Sequence, residues 1–465
     1  SGGDYIMKYL INTFKRNTYL IKLALPIFLE LILQMLIGSV DQLMLTGNKT
    51  AVNGIIQANT LTNLVLIVFS VLSTASIILI TQLNASGNKE SADKIYALSF
   101  YFNLVIGILF SAFLYFFCED IFVAMKVDSS VMDEACSYMR LTGTFIVFQA
   151  MITTFSAYFR SNKLMIQSTI ITLVMNIVNI VGNAILIYGF KMGVVGAGIS
   201  STACRLAGLI ITIIVYVKYI NISLSFKQLM PFPRVLFGKL LKIGIPSAGE
   251  NFSYNFSQIV ILSILNSTSS GVLAGNIKGY ITTFTMIVYM FANGIVQAMQ
   301  VLEGEYIGSN QMDKADKLFK DTVVMSITIS TIMSIILWSV SYPLFMIIMK
   351  DSEAAKLAFI ALSIDILLEV GRACNIISVR ALQTAGDINF PVLLSILSCW
   401  LFAVGGTYVL GIPLNLGLIG CWISMCFDEC FRAVVFCIRW KHGKWKNKHL
   451  LTGIEKSKNN KFSTI

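Results

Sequence analysis

KLALPIFLEL, running from Lys22 to Leu31, returns in the second half of the chain as KIGIPSAGEN, from Lys242 to Asn251, so that Pro26 meets Pro246 and Glu30 meets Glu250. The register carries on. NASGNKESADK (Asn84 to Lys94) aligns with IGSNQMDKADK (Ile307 to Lys317), and GVVGAGIS (Gly193 to Ser200) with GLIGCWIS (Gly417 to Ser424). The offset drifts only as much as small loop insertions produce, so the chain reads as a duplicated unit.

Each copy is strongly apolar. Over 465 residues, 56% are hydrophobic and 13% charged, and the mean hydropathy is +0.76, more apolar side chain than a soluble core absorbs. Runs near the ~20 residues that cross a hydrocarbon core, such as Ala51 to Leu83 and Ser168 to Phe190, follow one another throughout. They amount to about twelve spans, six per copy. The expected fold is an all-α integral membrane protein of two six-helix bundles.

A net charge of +11 suggests a nucleic-acid partner in a soluble chain, but the placement of the charge gives another cause. Most of the 35 lysines and arginines fall in alternate gaps and in the two termini. The opposite gaps hold Lys49, Lys126, Lys191, Lys278, Lys350 and Lys356, while Arg140, Arg205, Arg372 and Arg432 lie inside spans. The positive-inside rule then puts both termini in the cytoplasm, as expected for the plasma (inner) membrane. Both copies enter from the same side, the arrangement of parallel repeats, in which transporters bind substrate between the halves and alternate access. Duplication also builds channels and scaffolds.

The expected boundaries are an N-terminal segment at 1–18, a first lobe at 19–220, a polar linker at 221–238, a second lobe at 239–440 and a basic tail at 441–465. Ser1-Gly2-Gly3 reads as a tag remnant, and no cleavable leader pattern precedes the first span, which is expected to stay in the mature protein. The nine cysteines read as small buried residues, since Cys421, Cys426, Cys430 and Cys437 share one helix without paired C-x-x-C spacing.

No G-x-x-x-x-G-K-[ST] occurs, so a gradient rather than a nucleotide is the expected energy source. His442 and His449 both lie in the tail, and neither G-x-S-x-G nor H-E-x-x-H occurs, so no enzyme activity and no cofactor are expected.

Ionisable residues inside spans are costly and ask for a partner or a pathway. At about 1.5 Å per residue from the basic end of each helix, Asp41 lies about 28 Å up, Asn179 and Thr202 about 24 Å, Asn183 about 30 Å and Tyr138 about 33 Å. One outer level thus gathers Asp41, Asn179, Asn183, Tyr138 and Thr202, with Arg140 nearby as an alternative ion-pair partner for Asp41. The second copy places Glu250, Asp365, Glu369, Arg372, Asp428, Glu429 and Arg432 in the inner half, more acids than bases. They form either an ion-pair lock or a second cation or substrate-charge site. Glu30 is expected to pair with Arg205.

LALPIFLELILQMLIGSVDQLML, GIPSAGEN, NIVNIVGNAILIYG…GVVGAGISS, LLEVGRACN…ALQTAGDINFP and CFDECFRAVVFCIRWKHGKWKNK together resemble the multidrug and toxic compound extrusion (MATE) family, from about Tyr19 to Lys448. The resemblance implies two bundles around a central cleft and export of bulky, often cationic organic compounds in exchange for H⁺ or Na⁺. It implies that Asp41 handles the proton or cation with Asn179, Tyr138 and Thr202. The family has an acid where this chain has Asn183, which removes a second anionic ligand, and a deeper seventh-span acid where it has Tyr254. Expected partners are cationic or amphipathic small molecules and membrane lipids, without nucleic acid, and the protein is expected to be a monomer. Export of a lipid-linked or amphipathic metabolite on the same fold is the alternative, which calls for a more cationic cavity.

Overall fold

The computed structural model describes residues 2–268, 271–448 and 450–454. Lys456, Lys458, Lys461 and the rest of the expected tail from 455 on, with Ser1 and His449, lie outside the described residues.

Gly2–Arg16 forms α1. Then follow α2 (Thr18–Met44), α3 (Lys49–Ala85), α4 (Lys89–Phe116), the short α5 (Cys118–Ala124), α6 (Ser129–Thr144) and α7 (Ile146–Ser161). The first copy closes with α8 (Met165–Asn183), which runs into a π-helical turn at Ala184–Gly189, and α9 (Gly193–Tyr219). The second copy comprises α10 (Arg234–Asn266), α11 (Gly271–Gly308), α12 (Met312–Met349) and α13 (Ser352–Thr384). It ends with α14 (Asn389–Ser398), a π-helical segment at Cys399–Val404, α15 (Gly405–Gly411) and α16 (Gly417–Lys441).

Short polar side chains start several of these helices by taking up an orphan N–H of the first turn. Asn48 accepts from Ala51 N, Asn88 from Ser91 N, Asp128 from Ser130 N and Asp351 from Glu353 N. Gly87, at φ +79°, takes the left-handed turn between α3 and α4.

Eight helical segments are long and apolar enough to cross a bilayer by themselves, and α6 with α7, bent by 46°, makes a ninth. α10, α13 and α16 match them in length, at 33, 33 and 25 residues, but fall short in apolarity: α13 and α16 carry buried charges of the second copy, and α10 carries Glu250 followed by the neutral polar run from Asn251 to Gln258. With those three, the described helices give the expected twelve spans. Outward-facing residues such as Phe116, Ile214 and Ile347 are 60% or more exposed, as lipid-facing side chains are. The chain is an all-α, multi-pass membrane protein.

By packing, the chain divides into two units. One joins the chain up to Phe28 with Ile245–Thr452, and the other is built on Leu29–Gly244. The divisions fall inside α2 and α10, next to Pro26 and Pro246, whereas the sequence suggests loop boundaries at 19 and 239. Within the second-copy unit α13 and α16 approach closely: a Cβ on Gly371 would stand 2.9 Å from Cys430 N. Lys278 is not a loop residue as its sequence position suggests. It lies two turns into α11, is 8% exposed, and donates to Gln258 Oε1 at 3.1 Å.

Candidate functional site

Asp41, near the end of α2, is fully buried, and four neutral donors converge on it. Asn183 Nδ2 (2.6 Å) and Asn179 Nδ2 (3.2 Å) donate to Oδ1. Tyr138 OH (2.6 Å) and Ser201 Oγ (2.5 Å) donate to Oδ2. Asn179 and Asn183 stand one turn apart on α8 and so share a face, and Gly182 beside them lets α9 approach, since a Cβ there would collide with Ser200 Oγ. Tyr138 comes from α6, the first half of the bent pair.

An ionised carboxylate only accepts hydrogen bonds and has about four lone-pair sites, so this arrangement suits the charged form. A proton arriving at Oδ2 obliges Tyr138 or Ser201 to turn from donor to acceptor. At Oδ1 the incoming charge is met differently. The amide oxygens Asn179 Oδ1 and Asn183 Oδ1 are buried and without hydrogen-bond partners. Rotating either amide would present a carbonyl to a proton or cation held at the carboxylate.

Of the residues expected here, the structure brings Asp41, Asn179, Asn183 and Tyr138 together. Thr202 is not in the cluster. Its hydroxyl donates to Leu141 O at 3.1 Å, and Ser201 takes the place beside Asp41. The sequence holds the signal for this: Ala197, Ser201, Cys204, Arg205, Gly208 and Thr212 form the buried stripe of α9, to which Thr202 does not belong. The alternative pairing with Arg140 is absent, since Arg140 is exposed and no ion pair reaches Asp41 among the described residues. Glu30 does not pair with Arg205 either. Arg160 Nη2 lies 2.9 Å from Glu30 Oε1, and Arg205 donates to Thr142 O at 3.1 Å. Arg160, at the end of α7, reaches Glu30 more directly than Arg205 does from mid-helix.

The second-copy residues form a network across α13 and α16. Arg372 bonds Glu369 and lies 3.7 Å from Glu429, while Arg432 holds Asp428 at 2.6 Å and Glu429 at 3.1 Å. Asn375 and Ser398, not singled out from the sequence, donate to Glu429 and Asp428. Asp365 forms no ion pair with either arginine among the described residues; it accepts from Trp422 Nε1 at 3.1 Å, and its Oδ2 has no hydrogen-bond partner. Glu250 accepts from Gln383 at 3.3 Å. With Tyr254, Arg372, Arg380, Glu429 and Arg432 it borders a cavity of about 90 Å³, room for a few waters and too small for a bulky organic cation. All nine cysteines are free thiols.

Twelve helical spans enclosing buried, partnered charges define a multi-pass membrane transporter of duplicated design. The MatE family model matches residues 26–185 and 246–409, one segment in each copy. The chain is 32% identical over 436 residues to the uncharacterized transporter YisQ of Bacillus subtilis, covering 92% of this chain and 95% of that one. It is 25% identical to the probable multidrug resistance protein NorM of Thermotoga maritima, covering 97% of both. The solved structure of the Vibrio cholerae MATE transporter VcmN in the bent form superposes with a TM-score of 0.86 at 14% identity, covering 94% of this chain and 99% of that one. The chain belongs to the MATE family of multidrug efflux transporters.

Proposed function

We propose that this protein is a secondary active antiporter that exports bulky, cationic or amphipathic organic compounds in exchange for inward H⁺ or Na⁺, by alternating access of its two lobes. It resides in the plasma (inner) membrane as a monomer with both termini in the cytoplasm. The observation that carries this reading is Asp41: a fully buried carboxylate, held by four neutral donors and in no ion pair among the described residues, whose two amide neighbours have spare carbonyl oxygens. Such a group binds one positive charge and rearranges when it does so. Resemblance to a relative named for multidrug resistance supports the substrate class.

The test is dye efflux in inverted vesicles under separate H⁺ and Na⁺ gradients, comparing wild type with Asp41→Asn. Asn keeps the shape of the site but cannot carry the charge, so gradient-driven efflux is expected to be lost. Full activity in the variant, or transport that ignores both gradients, overturns the mechanism.

A further inference from the structure

Glu303 lies in α11, five residues before that helix ends at Gly308. It is 1% exposed, and neither of its carboxyl oxygens has a hydrogen-bond partner. This is the opposite of the Asp41 environment, where four donors surround the carboxylate. Leaving an ionised carboxylate buried without donors or a counter-charge costs far more than burying the neutral acid, so the group sheds its charge instead.

The charged groups on the elements around it are engaged elsewhere. α12, α13 and α16 pack on α11, α1 packs on α12, and the start of α2 meets α11 where Phe28 abuts Gly294. Arg16 of α1 is bound to Asp321 of α12, and Lys320 to Asp316. Arg380 donates to Gln383, and Arg439 is bound to Asp387. Lys22 and Lys317 are exposed. Among the described residues none of these groups forms a hydrogen bond or an ion pair with Glu303.

The duplication shows that this burial belongs to the fold and that the carboxyl is an addition to it. In the register that aligns Asn84–Lys94 with Ile307–Lys317, Glu303 falls opposite Ile80, which is fully buried in α3. One copy fills the position with an aliphatic side chain and the other with an acid. A metal ion needs several oxygen ligands, and no group of three acidic, His or Cys side chains suited to one exists among the described residues. A proton needs only the carboxyl itself.

We propose that Glu303 holds a proton in the conformation described and gives it up at another stage of the transport cycle, serving as a second proton-carrying carboxyl in the unit that does not contain Asp41. Release is to water at the end of the bundle that carries Lys314, Lys317 and Lys320 and leaves a carboxylate behind. The proposal rests on the antiport reading above and selects H⁺ for this second site.

Difference infrared spectroscopy of the full-length protein in lipid at neutral pH tests it, together with the number of protons moved per dye molecule in vesicles. Wild type and Asp41→Asn are expected to show a protonated-carboxyl C=O band that Glu303→Gln lacks. Glu303→Gln is expected to keep wild-type thermal stability while moving fewer protons per dye. A band unchanged in Glu303→Gln, or a wild-type proton-to-dye ratio and pH profile in that variant, overturns the proposal. If Glu303→Gln does not fold, Glu303→Ile, the side chain of the first copy, serves in its place. The infrared band decides the protonation of Glu303 even if Asp41→Asn retains efflux and the antiport reading fails.

Discussion

Asp41 accepts two amide and two hydroxyl hydrogen bonds, and each links it to a different point on α6, α8 or α9. Hydrogen bonds to charged groups contribute about 1.5–3 kcal/mol each, which is about tenfold or more in any equilibrium that depends on one of them. Ser201→Ala is therefore expected to cut gradient-driven efflux by about tenfold. Thr202→Ala, which loses only a bond to Leu141 O, is expected to stay near wild type in the same vesicle assay. The opposite ranking would mean that the helix face of α9 is assigned wrongly. Glu30 makes the same point about reach: the sequence suggests Arg205 as its partner, but the packing gives it Arg160.

At the scale of elements, the features that move the site residues are ends and irregularities. Asn183 is the last α-helical residue of α8 before a π-helical turn, and Ser398, which bonds Asp428, is the last of α14 before another. Such turns widen the helix and occur often at functional sites. α6, which carries Tyr138, is capped by Asp128, whose carboxyl is held below the usual carboxylate range by the Ser130 hydroxyl and then by the Ser130 N–H. A folded-state value below the unfolded one means that the cap contributes in full above the usual carboxylate range and is lost as pH falls through the lowered value. Amide exchange in the first turn of α6, corrected for its intrinsic pH dependence, should rise on acidification in wild type and stay flat in Asp128→Asn. A flat wild-type profile would remove the cap from the account.

At the scale of the whole molecule, the prediction concerns sidedness. Lys89 begins α4, and Lys126 lies beyond its other end in a left-handed turn after α5; the 28 residues of α4 span about 42 Å. Lys126→Cys is expected to react with a membrane-impermeant maleimide on intact cells. Lys89→Cys should react only in inverted vesicles, with wild type as the background. Labelling of both from one side would overturn the proposed topology.

Patterns along the chain were enough to establish the duplication, the helical membrane class and the level at which Asp41, Asn179, Asn183 and Tyr138 lie, because span length and helical rise are fixed by the bilayer and the backbone. Three spans were harder to see by apolarity alone, since α13 and α16 give up apolar residues to buried charge and α10 gives them up to neutral polar side chains. What only the tertiary structure decided is which side chains meet. Ser201 rather than Thr202, Arg160 rather than Arg205, Lys278 inside a helix, and the isolation of Glu303 all depend on helix rotation and neighbouring packing. Those are set by contacts between residues far apart in the chain; a local pattern such as the α9 stripe that holds Ser201 narrows the choice of face but does not say which side chain it meets.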